Sequence, residues 1–131
     1  MKLRIAVIVL ALFSAQASAD WELIGQASNG TKYFMDLSTK RQQGKYILVW
    51  EMLDEPKAEV IYGKSFNSMK NLAVYDCFEY RYGAKNFYYY KGKLGSGDVV
   101  RIKSHEMHEV DFSDVVPDTV GETKFKVVCG K

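Results

Sequence analysis

An aromatic and basic run, DCFEYRYGAKNFYYYKGK (Asp76–Lys93), holds the side chains of this sequence best suited to bind a partner. Tyrosine and arginine are frequent at interface centres because each combines a large contact surface with hydrogen-bond donors. As two strands, the run predicts an exposed partner-binding strip formed by Arg81, Lys85, Tyr88, Tyr90, Lys91 and Lys93. The alternative is cross-strand pairing of half-buried aromatic side chains, which requires no partner.

The net charge limits the class of partner that such a strip would bind. The chain has 18 basic and 16 acidic residues, and Lys2 and Arg4 lie in a leader, so the remainder carries 16 of each. A neutral domain has no general attraction for nucleic-acid phosphate. We therefore expect a protein or a glycan as the partner, and no nucleic acid.

The motif HEMH (His105–His108) raises the question of a metal site. Histidines three residues apart share a face only on a helix, and the zinc-protease helix requires a spacing of four. A loose site with Glu106, Glu109 and Asp111 is one interpretation, and a solvated hairpin is the other. The sequence has no nucleophile elbow, phosphate loop or free Cys–His pattern, so we expect no metal, no cofactor and no enzyme activity.

The N-terminus has the three parts of a secretory signal peptide. Two basic residues precede an apolar run, Ile5–Phe13, and the small residues of AQASA precede a cleavage site before Asp20. The apolar run is too short to span a bilayer. We therefore predict a signal peptide at residues 1–19 and one domain at residues 20–131, located in the periplasm, on the outer-membrane surface or outside the cell. No cysteine follows the small residues, so we expect no lipid anchor.

Two cysteines, Cys77 and Cys129, remain in the predicted mature chain. In an oxidising compartment this count indicates one disulfide. Two free thiols and an intermolecular bond are the alternatives. An internal bond would close a loop of about 53 residues and stabilise the fold by about 4 kcal/mol in the chain-entropy description.

Strands are the elements predicted to position these groups. WELIGQA and TKYFMDL flank an Asn-Gly turn and predict a hairpin. A second hairpin is predicted from LAVYDCFEYRY and NFYYYKGK, with its turn at GAK (Gly83–Lys85). KYILVWEML (Lys45–Leu53) predicts a strand covered on both faces. One face carries Tyr46, Leu48, Trp50 and Met52, and the other carries Ile47, Val49, Glu51 and Leu53.

Polar and glycine-containing segments predict interruptions between these strands. STKRQQG (Ser38–Gly44) predicts a loop or a single helical turn. DEPKAE, which follows Leu53, predicts a break, and Gly63 predicts a bulge. After the break, VIYGKSFNSMKN is expected to resume extended structure.

The C-terminal segment predicts a helix. Thr119 and Glu122 have the spacing of a capping box, and one helical face carries Phe125, Val128 and Cys129. Gly130 is suited to end the helix, and a strand is the alternative because KVVC is rich in β-branched residues. Three lysines are expected away from the core: Lys124, Lys126 and Lys131. The predicted fold class is α+β, with an antiparallel sheet of five to seven strands packed by the helix.

Taken in order, several segments resemble the bacterial surface-adhesin protein E family over about residues 21–129: WELIGQASNG, YFMDLST, ILVWEML, YGKSF, VYDCFEYR and VVPDTVGETKFKVVC. The resemblance implies an antiparallel sheet packed by a C-terminal helix, a bond between Cys77 and Cys129, and the envelope of a Gram-negative bacterium. The adhesin that names the family binds host matrix and plasma proteins such as vitronectin and laminin. The resemblance therefore implies adhesion to such proteins.

The leader departs from this family pattern. The named adhesin has a lipoprotein-type leader, whereas this leader lacks the cysteine that would carry the lipid. The alternative function is therefore a soluble periplasmic protein that binds or inhibits another protein.

Overall fold

The computed structural model describes residues 19–131, so the predicted leader lies outside the described residues except for Ala19. Six strands follow one another in a curled meander, each antiparallel to its neighbours. They are β1 (Glu22–Gln26), β2 (Lys32–Gln43), β3 (Tyr46–Ile61), β4 (Lys64–Asp76), β5 (Arg81–Tyr90) and β6 (Val99–Ser104). A two-residue strand, β7 (Ser113–Asp114), pairs with β5, and the helix α1 (Val120–Cys129) follows.

The predicted fold class is confirmed, since the seven-stranded antiparallel sheet carries one C-terminal helix. Within residues 19–131, no helix combines the length and the apolar character needed to cross a bilayer.

The prediction of a loop or helical turn at Ser38–Gly44 was wrong, because β2 continues to Gln43. The β2–β3 register shifts between Asp36 and Arg41. At this irregularity the hydroxyl of Thr39 donates to the backbone oxygen of Asp36 at 2.6 Å and accepts from the backbone N–H of Trp50 at 2.9 Å. Side-chain hydrogen bonds thus replace part of the ladder, and a polar sequence remains in the sheet.

The predicted break at DEPKAE was also wrong, since β3 runs through it to Ile61. The β3–β4 register shifts between Asp54 and Glu59, so the segment forms an irregular part of the strand. The chain reverses at Tyr62 and Gly63, whose φ values are 46° and 74°. Gly63 therefore lies in a two-residue hairpin turn rather than in a bulge.

The hairpin formed by β4 and β5 is confirmed, but its turn lies at Cys77–Tyr80 rather than at GAK. The backbone N–H of Glu79 donates to the carboxylate of Asp76 at 3.1 Å and closes this turn. The residues of GAK lie inside β5, where Gly83 allows the backbone of Asp111 to approach. Cys77 therefore follows the end of a strand and does not lie within one.

The sheet has two faces with different coverings. On the helix face, α1 contributes Phe125 and Val128 to a core that also contains Met35, Val49, Ala73 and Tyr75. The opposite face, hereafter the cup face, has a second cluster formed by Leu48, Leu72, Val74 and Val110. The predicted division of β3 between two faces is thereby confirmed, because Val49 and Leu48 belong to different clusters.

The helix begins and ends where the sequence predicted. The hydroxyl of Thr119 accepts from the backbone N–H of Glu122 at 3.2 Å, and Gly130 takes a left-handed conformation with φ 71°. A disulfide joins Cys77 to Cys129 with a Cα–Cα distance of 5.6 Å, so neither cysteine is free. The bond links the end of α1 to the turn between β4 and β5.

Candidate partner-binding site

An open cavity of about 340 Å³ lies on the cup face. Hereafter the aromatic cup, it is lined by Ala19, Trp21, Asp36, Thr39, Trp50, Lys70, Tyr88 and Tyr90. Neighbouring strands supply its floor, since Lys70 on β4 pairs with Tyr88 on β5. The rings of Trp50 and Tyr88 are in contact, with centroids 6.0 Å apart. Strand alternation and register therefore place aromatic rings around one lysine.

Lys70 is the charged centre of the aromatic cup. Its ammonium lies 5.6 Å from the ring centroid of Trp21 and 5.0 Å from that of Tyr90. Such cation–π contacts hold an ammonium without neutralising it. Among residues 19–131, no carboxylate lies within 4.0 Å of this ammonium. The cup therefore combines an apolar wall with a positive charge that an anionic group from a partner can approach.

One rim of the cup is built by the irregularity in β2. Asp36 is only 4% exposed, and its carboxylate has two backbone donors. It accepts from the backbone N–H of Ser38 at 3.1 Å and from that of Asp20 at 3.3 Å. The second bond anchors the residue before Trp21, so Asp36 positions the indole ring at the rim.

The loop after β5 is fixed close to the cup. The backbone N–H of Leu94 donates to Asp54 at 2.7 Å, and that of Gly95 donates to the hydroxyl of Ser68 at 2.8 Å. Lys93 donates to the backbone oxygen of Glu55 at 2.8 Å. These contacts connect the loop to β3 and β4, and they give Lys93 a structural partner.

The structure brings together two of the six residues of the predicted strip, Tyr88 and Tyr90. Arg81 lies at the opposite end of β5, where its Nε is 3.1 Å from Asp76 and its guanidinium stacks on Phe112 at 4.5 Å. The other three are not among the residues that line the cup: Lys85, Lys91 and Lys93. Partner binding by any of the six residues remains a prediction.

Sequence reasoning missed the other six residues that line the cup, among them Trp21, Trp50 and Lys70. The alternation of KYILVWEML assigns Trp50 to a face, which is a usable signal. The meeting of Trp21, Lys70 and Tyr90 depends on the register of strands far apart in the chain. No local pattern contains that information.

The helix face contains a buried ion pair. The ammonium of Lys124 lies 2.8 Å from the carboxylate of Glu51, and their side chains are 11% and 1% exposed. The Tyr75 hydroxyl donates to the other carboxylate oxygen. Burial, reinforced by the charge and hydrogen bond of Glu51, raises the pKa of Tyr75 well above its usual range, so the hydroxyl remains a donor.

The expectation that Lys124 lies away from the core was therefore wrong. Its ammonium also lies 5.4 Å and 5.1 Å from the ring centroids of Tyr33 and Tyr82. A carboxylate and two aromatic rings together compensate for removing the charge from water.

The motif HEMH leads from the end of β6 into a short 3₁₀ turn, Met107–Glu109, and does not form the predicted hairpin. The carboxylate of Glu109 accepts from the backbone N–H of Glu106 at 2.9 Å. The ring of His105 contacts Phe87 edge-on. In the part of the chain that the structure describes, no group of three His, Cys, Asp or Glu side chains is arranged to hold a metal ion.

A family model described as Surface-adhesin protein E matches residues 21–130. Crystal form II of Haemophilus influenzae protein E has a TM-score of 0.63 and 12% identity, covering 88% of this chain and 91% of that chain. Protein E from non-typeable Haemophilus influenzae has a TM-score of 0.60 and 12% identity, covering 88% and 79%. At this identity the structural likeness shows the fold alone. No curated protein matches this chain.

Proposed function

Because the chain belongs to the surface-adhesin protein E family, we propose that it is an exported, non-enzymatic binding module of the cell envelope. Its specific activity in this proposal is adhesion to host matrix or plasma proteins through the aromatic cup. The observation that carries the proposal is the placement of Lys70 between two aromatic rings without a carboxylate partner. Tryptophan and tyrosine rings are among the groups that contribute most at interface centres, and a cation beside them adds charge complementarity to an anionic partner.

The side chains that line the cup indicate which kind of partner segment it would bind. Its volume of about 340 Å³ suits one or two side chains. The walls formed by Trp21, Trp50 and Tyr88 favour an aromatic or aliphatic side chain. Lys70 favours a carboxylate beside it. We therefore propose that the partner presents an apolar side chain next to Asp or Glu.

The proposal predicts that substitutions in the cup weaken binding without unfolding the protein. Purified residues 20–131 would be tested by biolayer interferometry against individually immobilised matrix and plasma proteins. We expect Tyr88→Ala and Lys70→Met each to weaken binding at least tenfold, a change of about 1.4 kcal/mol. Binding should also weaken with salt for the parent protein and less so for Lys70→Met.

Phe78→Ala is the matched control, because Phe78 is an 82% exposed aromatic residue in the turn between β4 and β5, outside the cup. It should leave the affinity unchanged. Equal binding by Tyr88→Ala and the parent protein would dismiss the cup as the contact surface, and no binding to any protein of the panel would dismiss adhesion.

The leader sequence favours a second candidate function. It lacks a cysteine for lipid attachment, which supports a soluble periplasmic protein that binds or inhibits an envelope protein. Protease treatment of intact cells distinguishes the two. An adhesin is digested together with a surface control protein, whereas a periplasmic protein survives until the outer membrane is permeabilised.

A further inference from the structure

The strand β6 forms a free edge of the sheet, next to the strand that carries Tyr88. Among residues 19–131, the strand that pairs with β6 is β5 alone. The second half of β6 consists of Ile102, Lys103 and Ser104, which are all exposed, and Ile102 keeps 59% of its surface. The edge of a sheet presents unpaired backbone N–H and C=O groups, which can pair with another chain. The second half of β6 is therefore accessible to a strand from outside.

One hydrogen bond shows which backbone groups of β6 point away from the sheet. The backbone N–H of His105 donates to the backbone oxygen of Lys85 in β5 at 2.9 Å. Residues that bond to the neighbouring strand alternate with residues that do not. Lys103 therefore points its backbone groups toward β5, whereas Ile102 and Ser104 point theirs outward. Each of these two residues presents one N–H and one C=O for which the described residues supply no partner.

The first half of β6 is covered by the tip of the β3–β4 hairpin. The ammonium of Lys64 donates to the backbone oxygen of Val100 at 3.1 Å. The ring of Tyr62 stacks on the guanidinium of Arg101 at 3.9 Å. The oxygen of Val100 thus points outward, in agreement with the alternation that starts at His105. An added strand would therefore be confined to the second half of β6.

The side chains of β6 indicate the sequence of a segment that would pair with it. Ile102 pairs with Tyr88, so its side chain lies on the cup face beside a residue of the aromatic cup. Lys103 pairs with Phe87 and lies on the other side of the sheet. Among residues 19–131, no carboxylate lies within 4.0 Å of the Lys103 ammonium. Because apolar pairs and opposite charges stabilise neighbouring strands, the edge favours an apolar side chain beside Ile102 and a carboxylate beside Lys103.

We propose that the partner of the aromatic cup binds as an added strand on β6, through backbone hydrogen bonds to Ile102 and Ser104. Apolar and acidic side chains alternate along this segment, the apolar ones on the cup face and the acidic ones on the side of Lys103. In strand addition the main-chain hydrogen bonds supply affinity and the alternate side chains supply specificity. This inference rests on the proposed binding function, and it assigns an extended conformation to the partner segment.

The test is amide hydrogen exchange of ¹⁵N-labelled residues 20–131, followed by NMR, with the peptide N-acetyl-Gly-Val-Glu-Val-Glu-Val-Gly-amide as the probe. We expect the N–H groups of Ile102 and Ser104 to exchange rapidly in the free protein and at least tenfold more slowly with excess peptide. Those of Lys103 and His105 should be protected in both states. The same peptide with Lys in place of Glu should give no protection. If excess Glu peptide does not slow exchange at Ile102 and Ser104, the proposal is overturned.

Two proline variants separate the free edge from the ladder. Ser104→Pro removes an outward N–H, which edge strands tolerate. It should therefore leave Tm nearly unchanged and weaken binding of the peptide at least tenfold. Lys103→Pro removes an N–H that bonds to β5, so it should lower Tm. The exchange measurement uses the unmodified protein and decides the question even where a variant unfolds.

The outcomes distinguish failure of the strand addition from failure of the proposed function. If a matrix or plasma protein binds the parent protein and Ser104→Pro equally well, the strand addition fails and adhesion stands. If the peptide protects Ile102 and Ser104 but no protein of the panel binds, adhesion fails and the edge remains a strand-binding site. Protection of both groups in the free protein that increases with protein concentration would assign the edge to a second copy of this chain and overturn the proposal.

Discussion

Lys124 on the helix face and Lys70 on the cup face have the same local arrangement, an ammonium beside two aromatic rings, but different partners. Lys124 also pairs with Glu51 at 2.8 Å and is buried. Lys70 lies near Trp21 and Tyr90 without an ion-pair partner among residues 19–131 and stays partly exposed. The difference teaches that the charge of Lys124 is compensated within the fold, whereas the charge of Lys70 remains available to a partner.

The largest expected effect concerns the disulfide that holds the helix face together. Replacing both Cys77 and Cys129 with Ser should lower the free energy of unfolding by about 4 kcal/mol, because the unfolded chain is no longer cross-linked over a long loop. Urea unfolding of the parent and the variant measures the difference. Binding through the cup should persist in the fraction that remains folded, and its loss would contradict the separation of the two faces.

The two lysines provide a direct test of the comparison. Lys124→Met should lower the free energy of unfolding by about 3 kcal/mol, because Glu51 is left buried without a counter-charge. Lys70→Met should lower it by at most about 1 kcal/mol, because only the cation–π contacts are lost and no carboxylate loses a partner. Urea unfolding measures both.

Two further variants serve as controls for the lysine test. Lys126→Met removes an exposed pair with Glu122 and should cost at most about 0.5 kcal/mol. Combining Glu51→Gln with Lys124→Met should recover part of the loss, because the unpaired charge is gone. Equal effects at positions 124 and 70 would remove the proposed distinction.

A smaller effect is expected at the start of α1. Thr119→Ala should lower the free energy of unfolding by about 1 kcal/mol, since the backbone N–H of Glu122 loses its acceptor. Thr119→Ser should retain most of the stability. Thermal unfolding distinguishes them, and identical Tm values for Ala and Thr would show that the cap contributes nothing to the helix face.

The smallest effect concerns acid stability at the turn that carries Cys77. Burial alone would raise the pKa of Asp76, but hydrogen bonds from Glu79 and Arg81 and the charges of Lys45 and Arg81 outweigh it, so the pKa lies below 3.8. The stability that Asp76 contributes is therefore present above pH 3.8 and lost as the pH falls through the folded value.

Asp76→Asn should therefore flatten the acid side of the stability curve below pH 4, when Tm is measured against pH. Asp98→Asn, at an exposed position, should leave the curve unchanged. If the curve of Tm against pH for Asp76→Asn runs parallel to that of the parent protein, other carboxylates control acid unfolding.

The sequence predicted those parts of the fold whose signals are local. The alternation in β3 assigned Val49 and Leu48 to different clusters, and the spacing of Thr119 and Glu122 located the start of α1. Two cysteines in a chain predicted to be exported indicated the disulfide that the structure contains. Each of these signals lies within a single strand or helix, or follows from the number of cysteines.

The features that were missed depend on contacts between distant parts of the chain. Lys124 is buried because Glu51, 73 residues earlier, meets it. The polar segment after Asp36 remains a strand because Thr39 bonds to Trp50 across the sheet. The aromatic cup likewise requires the register that aligns Lys70 with Tyr88. Composition and periodicity do not predict these contacts between residues that are distant in the sequence.

The covalent link between α1 and the β4–β5 turn also determines how the molecule responds to mechanical load. A pulling force applied at Lys131 reaches Cys129 first and passes through the sulfur atoms to Cys77, the residue after the end of β4. The nine helical residues before Cys129 are bypassed and stay coiled. Tension therefore enters the hydrogen-bonded strands, whose ladder resists it cooperatively, and the helix does not unravel turn by turn.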